Sequence, residues 1–131
     1  GRAELDRAIG IGRGPYALQA AIAALQVEDP RDRIEIAALY GELARLTGSP
    51  VVELNRAVAL AEAGEPEAGL AVLADLPLDG YRYFHSARGD LLERVGRYAE
   101  ARTAFERALE LADDEPERRL LTRRLAELAR E

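Results

Sequence analysis

Apolar residues recur along this chain at helical spacing, in runs separated by proline and glycine. Gly14-Pro15 opens a helix predicted to reach about Val27, because proline at the first helical position loses nothing by lacking an N–H. Its stretch from Ala20 to Ala24 is small enough for close packing. After Asp29-Pro30, the residues Ile36, Leu39, Tyr40, Leu43 and Leu46 fall on one helical face, which stops near Thr47-Gly48. Ser49 as N-cap and Pro50 behind it start the next helix, which runs to Ala63. Gly64-Glu65-Pro66 turns the chain into a helix from Pro66 to Leu76, with Leu70, Leu73 and Leu76 inward, and Pro77 to Gly80 is a loop. Tyr81 to Val95 and Arg97 to Ala112 form a pair joined by Gly96. The last predicted helix, Pro116 to Arg130, is capped by Asp114, with Glu117 in a capping-box position. It turns Leu120, Leu121, Leu125 and Leu128 inward and Arg118, Arg119, Arg123, Arg124, Glu127 and Arg130 outward. Ala3 to Ile9 is short and amphipathic and reads as the tail of a helix. No stretch alternates with period two, so the fold is predicted to be all-α.

The runs also repeat. Gly89, Leu92, Gly96, Ala101, Phe105 and Ala108 carry small and large residues at the spacing of a tetratricopeptide (TPR) repeat, with His85 and Arg88 in place of the usual Trp and Leu. The pattern recurs 32 residues earlier, where Arg56 matches Arg88, Ala57 matches Gly89, Leu60 matches Leu92, Gly69 matches Ala101 and Leu73 matches Phe105. A further step of 35 residues, from Ser49-Pro50 back to Gly14-Pro15, pairs Ile22 with Ala57 and Leu25 with Leu60. These steps bracket the about 34 residues of a TPR unit. The expected architecture is a right-handed superhelical stack of TPR-like antiparallel helix pairs, about three repeats plus a C-terminal capping helix, with residues 1–131 as one domain.

Composition narrows the function classes. The chain has no cysteine, which removes disulfides, thiolate metal sites and cysteine nucleophiles. Its net charge of −6 opposes phosphate, so direct nucleic-acid contact by this segment is not expected. Neither a membrane span nor a basic-then-apolar leader is visible, and the expected location is the cytoplasm. A start at Gly1 without methionine implies a fragment or processed chain.

Three segments go beyond a generic repeat: Gly14-Pro15-Tyr16-Ala17-Leu18-Gln19-Ala20-Ala21-Ile22-Ala23-Ala24, Ser49-Pro50-Val51-Val52-Glu53-Leu54-Asn55-Arg56-Ala57-Val58-Ala59, and Arg88-Gly89-Asp90-Leu91-Leu92. With Ile36-Ala37-Ala38-Leu39-Tyr40 and Gly96-Arg97, they resemble the TPR-like C-terminal extension of a group of extracytoplasmic-function (ECF) RNA polymerase sigma factors, over Leu5 to Leu125. Arg33 and Gln26 stand where that family usually has Trp and His. The resemblance implies that two sigma domains lie upstream and that this segment is a regulatory extension rather than the DNA reader. It implies as partners the sigma domains of its own chain or the RNA polymerase core. The alternative is a stand-alone TPR adaptor that binds a partner protein's peptide; a small-molecule effector held between the first helices of the repeats is a further option.

Groove candidates follow from the repeat frame. Asn55 falls on the expected concave side, where an amide both donates to and accepts from a peptide backbone. Arg56, and Arg88 one unit later, occupy positions that normally pack inward, so each needs a carboxylate or several carbonyls as partner. They either brace neighbouring repeats or contact a ligand. Asp90 lies two residues beyond Arg88, and Tyr83 is the groove candidate of the cluster Tyr81, Tyr83, Phe84 and His85. His85 is the sole histidine and has no cysteine beside it, so no catalytic residue, metal site or cofactor is expected. Exposed end helices are a possible route to a homodimer.

Overall fold

The computed structural model describes residues 14–24 and 30–130. Among these are seven α-helices and no strand: α1 (Pro15–Ala24), α2 (Pro30–Thr47), α3 (Pro50–Glu62), α4 (Pro66–Leu73), α5 (Arg82–Arg94), α6 (Tyr98–Leu111) and α7 (Glu115–Leu128). The Ala3 to Ile9 stretch and the expected helix end at Val27 lie outside the described residues. Each helix packs on the next, and α3 also touches α5. The result is an all-α stack of the antiparallel pairs α1/α2, α3/α4 and α5/α6, closed by α7.

The helix ends follow local chemistry. Ser49 accepts a hydrogen bond from the Val52 amide at 3.4 Å, with Pro50 opening α3 behind it. Asp114 accepts from the Glu117 amide at 2.8 Å and caps α7, while the Glu117 side chain turns to Arg82 instead of back to the cap. Gly64 and Gly96 take φ of 95° and 82°, the left-handed region that glycine enters without strain. Around each the same bonds recur: the Glu65 amide reaches the Leu60 carbonyl, and the Arg97 amide the Leu92 carbonyl, both at 2.9 Å. These are Schellman closures 32 residues apart, so the sequence period is also a period of backbone hydrogen bonding. Helix α4 ends at Leu73 rather than Leu76 because Pro77 disfavours helical geometry in the residue before it.

Burial is modular. Leu18, Ala21, Leu39 and Leu43 form one cluster; Leu54, Ala57, Ala61, Leu73, Phe84 and Leu91 a second; Leu92, Ala101, Ala104, Phe105, Ala108, Leu121 and Leu128 a third. Leu70 packs on the second and third clusters alike and joins them. Every pair therefore hides its apolar stripe against its neighbours, as in a solenoid. Two leucines depart from the helical-face reading: Leu46 and Leu120 are about half exposed, at 52% and 51%.

Candidate functional site

Among the described residues, clefts between helices of the stack hold several of the candidate residues. The first, of about 750 Å³, runs between α2 and α3 over Ala37, Ala38, Gly41, Leu60 and Ala63. Arg56 lies along it over Gly41, where a Cβ would stand at ordinary contact distance, 3.4 Å, from Arg56 Nε. Arg56 donates to Glu53 at 3.1 Å, one turn back on its own helix, and its side chain stays about one-third exposed. Among the described residues it pairs with no side chain of a neighbouring repeat. Asn55 is exposed on α3, lines neither cleft, and its side chain makes no hydrogen bond among the described residues.

The second cleft, of about 420 Å³, lies between α5 and α7 with Phe105 of α6 beneath it. Tyr83, Ser86 and Asp90 line it from α5, and Leu120, Leu121 and Arg124 from α7. A contiguous cleft continues from Asp90 and Arg124 past Glu93 and Arg94 to Tyr98. The two share Asp90 and Arg124, whose hydrogen bond spans from α5 to α7 between them, so the clefts lie in line along α5 between two half-exposed tyrosines.

Arg124 is the centre of this groove, although the helical wheel assigns it to the outer face. Its guanidinium donates to Asp90 and, at 2.8 Å, to Glu93, and lies 5.0 Å from the centre of the Phe105 ring. Burial works against its charge, but the hydrogen bonds to Glu93 and Asp90 outweigh this and hold its pKa above the ordinary arginine value. Arg124 thus ties α7 to the third pair, and Arg94 ties that pair to the second by donating to the Ala61 carbonyl at 3.2 Å, whereas Arg56 and Arg88 pair within their own helix or helix pair. Arg124→Gln is expected to lower stability by about 1 kcal/mol, with the loss shrinking in molar salt, as read by urea denaturation at two ionic strengths.

At the other end, Arg82 faces Glu117 at 2.7 Å and donates to Asp113 at 3.1 Å. The Glu117 contact is an ion pair rather than an aligned hydrogen bond. Arg82 also lies 4.8 Å from the centre of the Tyr83 ring, which meets Tyr81 edge-on at 5.3 Å. The hydrogen bond to Tyr83 is the main cause that raises the Arg82 pKa, and the nearby carboxylates reinforce it. Both guanidiniums are therefore fixed charges.

Of the sequence candidates, the groove brings together Tyr83 and Asp90. Arg88 is elsewhere, 3.9 Å from Glu100 on α6, within its own helix pair. The Glu100 carboxyl is held below its usual range chiefly by the hydrogen bond from Arg97, with Arg97 and Arg88 charge adding to it. His85 is buried, its Nε2 2.7 Å from the Asp79 carbonyl, edge-on to Phe84. Among the described residues no group of three potential metal ligands occurs, and no helix is long and apolar enough to cross a membrane.

Antiparallel helix pairs at a repeating step, closed by matched glycine turns, define an α-helical repeat protein. A model of the tetratricopeptide repeat-like domain matches residues 17–130, and the chain belongs to that family. It is 48% identical over 136 residues to an uncharacterized protein of Rhizobium meliloti (strain 1021), a match covering 98% of this chain and 32% of that one. The chain thus spans about a third of that relative's length. No solved structure matches it. Folds of this family are protein-interaction scaffolds and typically non-catalytic.

Proposed function

We propose that this chain is the non-catalytic regulatory domain of an ECF RNA polymerase sigma factor. It modulates transcription initiation by holding the sigma domains of its own chain or a surface of the polymerase core. The observation that carries the reading is the run Ser49 to Val58. A generic repeat accounts for its cap, its Pro50 and its buried Leu54 and Ala57, but not for Asn55, which is exposed and which the fold does not use. That unexplained polar position coincides with the part of the chain most similar to the sigma-factor extension. The length of the Rhizobium meliloti relative, two-thirds of which lies outside the match, is compatible with further domains in that protein.

Tethering raises the effective concentration of an intramolecular ligand to about millimolar, so weak groove affinity is enough for regulation. The groove between α5 and α7 supplies Tyr83, Asp90 and Arg124 for such a contact, while Asn55, Arg56 and Arg88 act from other faces of α3 and α5. The test is promoter-dependent transcription in vitro on core RNA polymerase, by the full-length protein and by a version lacking residues 14–130. A changed transcript yield is expected. Equal yields, or a full-length protein without sigma-type regions, overturn the reading in favour of a stand-alone adaptor.

A further inference from the structure

The groove along α5 has a chemistry of its own. Its apolar part is Phe105, Leu121 and Leu120, and Leu120 and Tyr83 stand about half exposed at its lip. Large apolar side chains at the lip of a concave site are where a partner's anchor residue loses its water. Three carboxylates line the same cleft, those of Asp90, Asp114 and Glu117. The one guanidinium in the lining, Arg124, is already engaged by Asp90 and Glu93. Arg82 behind it is held by Glu117 and Asp113. Beside the apolar seat a carboxylate ligand would therefore find no cation without an acidic partner, since Arg94 lies beyond it on the Ala61 carbonyl, and it would meet the net negative charge of the chain as well. A cationic ligand finds carboxylates that retain exposed edges, Asp90 at 43% and Asp114 at 51%.

We infer that this groove binds a basic amphipathic peptide segment, with an aliphatic or aromatic side chain seated on Phe105, Leu120 and Leu121. Flanking arginines or lysines then lie against Asp90 and Asp114. Tyr83, with Arg82 over its ring, and Tyr98 stand partly exposed at the two ends. The segment follows α5 from Tyr83 to Arg94, about 17 Å at 1.5 Å per residue, which accommodates three turns of a ligand helix. This deepens the interaction-domain reading of the same groove and rests on it.

The experiment uses two synthetic, fluorescein-labelled twelve-residue peptides. They share one leucine and one phenylalanine at helical spacing and differ only in carrying four arginines or four glutamates around them. Anisotropy titration of the 131-residue chain is expected to give at least tenfold tighter binding of the arginine peptide, weakening as salt rises. Leu120→Ala and Tyr83→Ala are each expected to weaken that binding by about five- to tenfold with an unchanged circular dichroism spectrum, which distinguishes the groove from diffuse attraction to an acidic surface. Equal or tighter binding of the glutamate peptide, no binding of either, or arginine-peptide binding that both variants leave unmoved overturns the assignment. Should deletion of residues 14–130 alter transcription while the peptides fail, the regulatory role stands and this groove chemistry falls. The reverse outcome retains the groove chemistry and removes the sigma-factor role.

Discussion

Phe105→Ala is expected to lower the unfolding free energy by about 3–5 kcal/mol, a large share of the about 5–15 kcal/mol that holds a domain together. The ring is 1% exposed, and it fills a space that the neighbouring helix has vacated for it. A Cβ on Gly89 of α5 would lie 2.8 Å from the ring carbons, so the missing side chain at Gly89 and the bulk of Phe105 are one fit. Deleting the ring leaves a void with glycine as one wall. It also removes the face on which Arg124 lies. The coupling is measurable in urea unfolding of four proteins. Gly89→Ala is expected to destabilise the parent chain. In the Phe105→Ala background the same change restores about 1 kcal/mol, because the ring it struck is gone and alanine is the better helix former. An equal cost of Gly89→Ala in both backgrounds would refute the fit.

That fit was legible in the sequence as a small residue at 89 and a large one at 105, because packing between consecutive helices repeats with the chain. The same holds for Ser49, Asp114, Gly64 and Gly96, whose roles are set by neighbours within a few residues. The groove was only half legible. Tyr83 and Asp90 could be placed because α5 is well defined by its repeat, but Arg124 was assigned outward from its own helix alone. What draws it in is a pair of carboxylates on another helix, Asp90 and Glu93, which hydrogen-bond it. A signal existed: Asp90 and Arg124 are opposite charges one repeat length apart, so a helical wheel drawn across repeats would have paired them. Arg56 fails in the opposite sense. Its side chain lies in the open cleft over α2 and finds its acidic partner, Glu53, one turn back on its own helix.

Gly69→Ala is expected to cost about 1–3 kcal/mol, although alanine is the better helix former by about 1 kcal/mol. Gly69 lies on α4 at the place that Ala101 holds on α6, and both are buried. The contrast is in what each faces. A Cβ at Gly69 would meet the Ala57 carbonyl oxygen at 2.5 Å and Leu91 Cδ2 at 2.8 Å. The leucine can turn, but the carbonyl belongs to the backbone of α3 and moves only if α3 and α4 separate. Separation exposes Leu73, Ala57 and Leu54, the cluster on which Phe84 and Leu91 of α5 also rest, so the loss should spread to the third pair. Helix α4 has only eight residues and little stability apart from this contact. The expected result is a lower thermal midpoint with some loss of helical signal before the main transition. Rescue separates this site from Gly89. Leu91→Ala is expected to recover little, and Ala57→Gly none, since no substitution removes a main-chain oxygen. Full recovery in either double variant would mean that side chains, not backbone approach, fix the spacing of α3 and α4.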